Sequence, residues 1–184
     1  GWYYTHEYPR EAERGLDARE DLFSCGVLHC TLQPGEKLAL VCSTEAEAGR
    51  DGMALVQTEM RRRAGETLPP ALAAHPLARH LATAAGQCLV RRGDKRHTIL
   101  AGYHWFTDWG RDTMIALPGV CLVTGRYAEA RGIFRAFVEH ISEGMIPNRF
   151  PDAGEHPDYN TVDATLWFFT ALYKYVRYSG DYAF

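Results

Sequence analysis

The chain has 184 residues and a formal net charge of −3 at pH 7, a size that suits one ordinary domain or two small ones. No large cluster of Lys and Arg is present, and the short run Arg61-Arg62-Arg63 fits a solvated face better than a phosphate site, so the composition argues against a nucleic-acid partner. No stretch of about 18 apolar residues occurs, so we expect no association with a membrane through a spanning helix.

The cysteines and histidines give no sign of a disulfide framework or a metal site. The five cysteines are an odd number without CxxC spacing, namely Cys25, Cys30, Cys42, Cys88 and Cys121. We predict that they are buried and reduced, as in a cytoplasmic protein. The eight histidines lack HExxH spacing, so we predict no metal and no other cofactor. The first residues also lack the charged and apolar regions of a signal peptide.

Residues 1–45 are predicted to be β structure. Segments 27–33 and 36–43 flank Pro34-Gly35, a pair that favours a tight turn because Pro presets one turn position and Gly tolerates positive φ at the next. One face of the second segment carries apolar residues at period two, namely Leu38, Leu40 and Cys42. Since two or three strands do not form a stable sheet alone, we expect a hairpin that completes a larger β layer.

Residues 46–69 are charged and contain glycine, which predicts a linker with room for a short helix. From Pro70 the pattern becomes helical, and the spacing of apolar residues up to Leu89 predicts one long helix with prolines near its first turns. Polar residues 92–95 then predict a turn, followed by an apolar, glycine-containing segment that leads into the first motif.

Three further helices are predicted in the second half of the chain. Residues 114–123 are apolar but interrupted by Pro118-Gly119, so this helix should be kinked or begin late. Residues 127–142 carry one apolar stripe. Residues 163–178 are apolar almost all round and stop at Ser179-Gly180. Because this last helix needs neighbours on most sides, we expect the chain to be part of a larger protein.

The densest group of chemically useful residues lies at 102–113. It combines aromatic rings, two carboxylates and an arginine within a dozen residues. Such a mixture suits a sugar pocket, since aromatic faces stack on sugar rings while Arg and Asp hydrogen-bond hydroxyl groups. The alternative is an ordinary helix start, with Asp112 in the first turn and Trp105 and Trp109 in the core. Composition alone leaves both interpretations equally open.

Two later segments extend this group. Residues 144–152 form a loop that two prolines stiffen, and it is either a plain helix connection or part of a site. In residues 158–168, Asp163 begins a helix, where a carboxylate commonly stabilises the helix dipole. The alternative is a general acid whose neutral form is favoured by large neighbours. These neighbours are Tyr159, Val162, Trp167 and Phe168. Asp112, beside Arg111, should instead stay ionised.

Taken together, the stretches 102–113, 146–152 and 159–167 resemble the amylo-α-1,6-glucosidase domain of glycogen-debranching enzymes, of the bacterial and archaeal single-activity type. Parts of residues 2–36 look like the segment that precedes that domain. The resemblance implies a mainly α fold, a partial (α/α)6 barrel preceded by the last strands of a β-rich domain. On this basis, residues 1–45 end the β-rich domain, 46–69 are a linker, and 70–184 are the first helices of the barrel.

The resemblance also implies a reaction and a set of residues. The family removes α-1,6-linked glucose at branch points, with inversion and without a metal, so the expected partner is a branched α-glucan such as glycogen or limit dextrin. Asp163 matches the general acid, and Arg111 and Asp112 match the pair that binds the hydroxyls of the terminal glucose. The other matched positions form the pocket wall: Trp105, Asp108, Trp109, Arg149, Tyr159 and Asn160.

An inverting mechanism needs a second carboxylate, about 6.5–9.5 Å from the first, to activate water. The resemblance puts this base beyond Phe184, so we expect the 184-residue chain alone to be inactive or nearly so. Two alternatives remain open. One is another (α/α)6-barrel enzyme, glucoamylase-, trehalase- or α-glucosidase-like; the other is a glucan-binding module without catalysis. The sequence predicts no particular oligomeric state.

Overall fold

The computed structural model describes residues 1–43, 49–65, 68–92, 96–103, 106–150 and 156–184. The chain forms two compact units, Gly1–Glu59 and Met60–Phe184. Helices predominate, and the strands form two small sheets. No helix among the described residues is long and apolar enough to span a membrane.

The first unit begins with an antiparallel pair of strands, β1 (Trp2–Glu7) and β2 (Arg19–Phe23), with the short helix α1 (Pro9–Glu13) between them. The register of the pair shifts inside β1, where Thr5 has a φ of 56°. The N–H of Thr5 donates to Oδ1 of Asp21 at 2.8 Å, and this bond compensates for the ladder bond that the irregularity removes.

The predicted hairpin around Pro34-Gly35 is only partly correct. The turn is present, since the N–H of Glu36 donates to the carbonyl of Gln33 at 3.0 Å. The strands predicted at 27–33 and 36–43 are wrong, because these residues pair with no other strand within the described range, and Leu40 remains 69% exposed. Strands that find no partner for their backbone groups do not persist.

The segment after that turn instead packs on the start of α2 (Gly52–Ala64). A Cβ on Gly52 would lie 2.8 Å from the Cβ of Ala39, so glycine allows this close approach. Helix α2 occupies much of the predicted linker 46–69, and the role of that segment as a domain boundary stays a prediction. All five cysteines are free, but the prediction that they are buried is wrong for three exposed ones, which are Cys25, Cys30 and Cys42.

After α2, the chain forms two helices where one was predicted. These are α3 (Pro70–Ala73) and α4 (Pro76–Cys88). Pro76 lacks an N–H and its ring would clash within a continuing helix, so it begins a new helix instead. A three-stranded antiparallel sheet follows, formed in order by β3 (Leu89–Arg92), β4 (Arg96–Gly102) and β5 (Phe106–Asp108). Most of the turn predicted at 92–95 lies outside the described residues.

Three further helical segments complete this unit. Helix α5 (Gly110–Leu117) passes directly into a π-helical turn (Pro118–Leu122). The N–H of Val123 donates to the carbonyl of Pro118 at 2.9 Å, a bond that spans five residues and widens the helix. The predicted interruption at Pro118 is therefore correct, although α5 begins four residues earlier than the predicted start at 114. Helices α6 (Tyr127–Val138) and α7 (Val162–Ser179) follow.

The core of this unit lies between α5, α6 and α7. Phe134 of α6 is its centre, with its ring 5.4 Å from that of Phe168 and 5.6 Å from that of Tyr175. Helix α7 ends as predicted, because Gly180 adopts the left-handed conformation. One face of α7 is buried, whereas the opposite face is exposed although it is apolar. This exposed face includes Val162, Leu166, Phe169 and Tyr173.

Candidate functional site

A short extended segment, Asn148-Arg149, brings the three sequence motifs together. The N–H of Gly110 donates to the carbonyl of Asn148 at 2.8 Å, and the N–H of Asn148 donates to the carbonyl of Asp158 at 2.7 Å. Arg149 forms bridge-like pairs with Trp109 on one side and Asp158 on the other. Segments far apart in the sequence thus lie side by side, as a sugar site built from all three motifs requires.

The side chain of Asn148 reinforces this junction, and sequence reasoning missed it. It is 3% exposed. Its Oδ1 accepts from the N–H of Arg111 at 3.2 Å, and its Nδ2 donates to Oδ1 of Asn160 at 2.9 Å. A buried amide that uses both its donor and its acceptor fixes its neighbours because leaving either group unpaired is costly. The sequence signal that could have identified Asn148 is a polar residue directly after the apolar pair Ile146-Pro147.

Gly110 is also required at this junction. Its φ is not positive, so the requirement does not come from the backbone conformation. A Cβ at this position would lie 2.3 Å from the carbonyl oxygen of Pro147 and 3.2 Å from a ring carbon of Phe137. Glycine is needed because the loop backbone packs directly on the first residue of α5.

The junction also contains an ion pair between Arg111, in the first turn of α5, and Asp163, in the first turn of α7. Nε of Arg111 lies 2.7 Å from Oδ2 of Asp163, and Nη2 donates to Oδ1 at 2.9 Å. The guanidinium therefore binds both carboxylate oxygens in a fork-like geometry. Each side chain is 46% exposed, so the pair lies at an open surface.

This pair sets the charge state of Asp163. The hydrogen bond from Arg111 lowers the pKa of Asp163 and outweighs the desolvation that raises it; the positive charge of Arg111 and the backbone N–H groups of Asp163 and Ala164 lower it further. The pKa of Arg111 is raised for the same reason. The apolar environment predicted for Asp163 is wrong, because Val162 and Trp167 are exposed and Phe168 faces the core. Asp163 is therefore ionised in this arrangement.

Comparison with known proteins agrees with this arrangement of motifs. A family model described as amylo-alpha-1,6-glucosidase matches residues 83–184, more than half of the chain, and spans all three motifs. The chain belongs to the amylo-α-1,6-glucosidase family. A second model, described as glycogen debranching enzyme N terminal, matches residues 1–39.

A curated Saccharomyces cerevisiae protein, named glycogen debranching enzyme, is 46% identical over 73 residues. The match covers 40% of this chain and 5% of the yeast protein. The chain therefore corresponds to a small part of that relative. No solved structure matches the chain.

Within the amylo-α-1,6-glucosidase motifs, Asp108 does not face the open site. It is 3% exposed. One carboxylate oxygen pairs with Arg92, and the other accepts from Oγ1 of Thr98 at 2.9 Å. Both oxygens are thus engaged inside the small sheet, so the geometry assigns Asp108 to holding β3, β4 and β5 together. Each carboxylate oxygen can still accept a further bond, so the sugar contact predicted for Asp108 stays a prediction.

Four further predicted site residues lie within the described part of the chain. Asp112 is exposed in the first turn of α5, Trp109 is half-buried just before it, and Asn160 is exposed beside Asp163. Arg149 pairs with Asp158, with its Nε 2.7 Å from Oδ2. Arg149 is also paired with Trp109 through the backbone, whereas Trp105 lies outside the described residues. The part of the chain that the structure describes contains no group of three or more His, Cys, Asp or Glu that could hold a metal ion.

Tyr159 lies at the same junction, but its hydroxyl is already engaged. It donates to the carbonyl of His140 at 2.6 Å, which ties the loop before α7 to the end of α6. We therefore expect Tyr159→Phe to lower the free energy of unfolding by about 1 kcal/mol through loss of this bond, and to leave the KM for a glucan nearly unchanged. Urea unfolding and steady-state kinetics of the intact protein test this. A KM that rises tenfold without loss of stability would show that the hydroxyl binds sugar instead.

Proposed function

We propose that the intact protein hydrolyses α-1,6-linked glucose at the branch points of an α-glucan such as glycogen or limit dextrin. The observation that carries this proposal is the convergence of the three family motifs on the open Arg111–Asp163 pair. Because the match covers only 5% of the yeast relative, the reaction is proposed for the intact protein.

In the proposed mechanism, Asp163 acts as the general acid. Its protonated form gives a proton to the glycosidic oxygen as the bond between that oxygen and C1 breaks. Arg111 and Asp112 hold the hydroxyl groups of the terminal glucose, and Trp109, Arg149 and Asn160 form the surrounding wall. A water molecule attacks C1 from the opposite face, which inverts its configuration; the carboxylate that activates this water is assigned to no described residue.

We also propose that α4 to α7 belong to an (α/α)6 barrel. The support for this is the apolar face that α7 leaves exposed, with Leu166, Phe169 and Tyr173 all more than 60% accessible. A helix that is apolar on several sides is typical of a position between two helical layers. The barrel is the arrangement in which such a face is covered.

A panel of substrates tests the proposed reaction. The intact protein, incubated with α-1,6-, α-1,4- and α,α-1,1-linked glucosides, should release glucose at least tenfold faster from the α-1,6-branched dextrin. Preference for the α-1,4 or α,α-1,1 linkage would instead assign a glucoamylase- or trehalase-like activity. The ionised state of Asp163 favours one further candidate, a glucan-binding module. That candidate predicts that the branched dextrin binds and that no glucose is released from any substrate.

A further inference from the structure

We propose that Arg111 couples the binding of glucose to the proton of Asp163: the two-point pair holds the carboxylate ionised in the absence of ligand, and a glucose unit whose hydroxyl oxygens take over the guanidinium frees the carboxyl to bind a proton from solvent. This inference rests on the proposed function and deepens it. It explains how a carboxylate held by an arginine can serve as an acid.

The geometry gives Arg111 two competing uses. Its guanidinium is bound through Nε and Nη2 to Asp163. The same donors are suited to a pair of neighbouring sugar hydroxyls, since the planar fork presents parallel N–H groups. Both side chains are half exposed, and exposed ion pairs contribute little to stability. A ligand can therefore displace the carboxylate without disrupting the core, while the backbone of Arg111 stays anchored to Asn148.

Among the residues that the structure describes, Arg111 is the cation that lowers the pKa of Asp163. The neighbouring Asp112 acts on Arg111 rather than on Asp163. The π-helical turn packed on α7 consists of Pro, Gly, Val, Cys and Leu and carries no charge. On α6, Arg131 pairs with Asp181 beyond the other end of α7. Arg149 pairs with Asp158 on the connecting loop.

Breaking of the Arg111–Asp163 pair by glucose can be detected as proton uptake, without any measurement of turnover. If glucose binding breaks the pair, the pKa of Asp163 rises on binding, and a ligand that raises a pKa binds with uptake of protons. The uptake is largest at a pH between the free and bound pKa values. We expect a maximum of about 0.5 proton per glucose in the acidic range.

The experiment is calorimetric titration of the intact protein with D-glucose from pH 3.5 to 6.5, in buffers that differ in ionisation enthalpy. Wild type should take up protons. In Asp163→Asn the neutral amide holds Arg111 less tightly, so glucose should bind about threefold to tenfold more tightly, with no proton uptake. The matched control Asp181→Asn removes another carboxylate that is paired with an arginine, and it should keep the wild-type uptake.

Three results would overturn the inference: no binding of D-glucose, binding without proton uptake at any pH, or uptake that persists in Asp163→Asn. Failure of the proposed function is a separate observation. If proton uptake follows the predicted pattern but no α-1,6-linked substrate is hydrolysed, the proton control stands and the hydrolase proposal fails. If hydrolysis proceeds without linked uptake, only the role of Arg111 is lost.

Discussion

Gly110→Ala is expected to lower the free energy of unfolding by about 3 kcal/mol and to remove most glucose release. The new Cβ would lie 2.3 Å from the carbonyl oxygen of Pro147, a backbone atom that cannot rotate away. The loop would have to move off α5, which breaks the bond from the N–H of Gly110 to Asn148 and separates the first motif from the second. Urea unfolding and glucose release from branched dextrin measure the two effects.

Gly132→Ala is the matched control for this substitution. Gly132 lies inside α6, and a Cβ there meets no atom within 4 Å. Because alanine favours a helix interior by up to about 1 kcal/mol over glycine, this variant should be as stable as wild type or more so. Equal stability of Gly110→Ala and Gly132→Ala would show that the loop does not pack on the start of α5 as described.

Asp163→Asn is expected to lower turnover on an α-1,6-branched dextrin by about 10³-fold, since an amide cannot give the glycosidic oxygen a proton. The fold should survive, because Asp163 is half exposed and its partner Arg111 can be solvated. Steady-state kinetics of the intact protein measure the loss.

Asp181→Asn again serves as the control for Asp163→Asn. Its carboxylate also pairs with an arginine, but it lies just after α7 and far along the chain from the candidate site. Turnover of this variant should remain within about twofold of wild type. A similar loss in both variants would point to damage to α7 rather than to loss of an acid.

The sequence predicted best those elements whose signals are local. The apolar stripe of α6 and the glycine that ends α7 depend on residues close together in the chain. The small sheet of β3, β4 and β5 was missed because its strands are short, and β5 has only three residues. The strands predicted beside Pro34-Gly35 failed for a related reason, since pairing depends on a distant partner that a local alternation does not reveal.

The site shows the same division between local and long-range signals. The three motifs were recognised, yet the partner of Arg111 was not, because Asp163 lies 52 residues further along the chain while Asp112 is adjacent. The burial of Asp108 was equally hidden, since it depends on Arg92 in another strand. Only the packing of α5 on α7 reveals the partner of Arg111, and the binding of glucose hydroxyls by Arg111 and Asp112 stays a prediction.

In the proposed mechanism, Asp163 supplies the proton to a glycosidic oxygen. The most direct test measures the rate of Asp163→Asn on two substrates that differ in their need for that proton. The fluoride of α-D-glucosyl fluoride departs without protonation, whereas the glycosidic oxygen of the α-1,6-linked dextrin must be protonated as it leaves. We expect this variant to keep at least about a tenth of the wild-type rate on the fluoride while losing about 10³-fold on the dextrin. Equal losses on both substrates would contradict the acid role of Asp163.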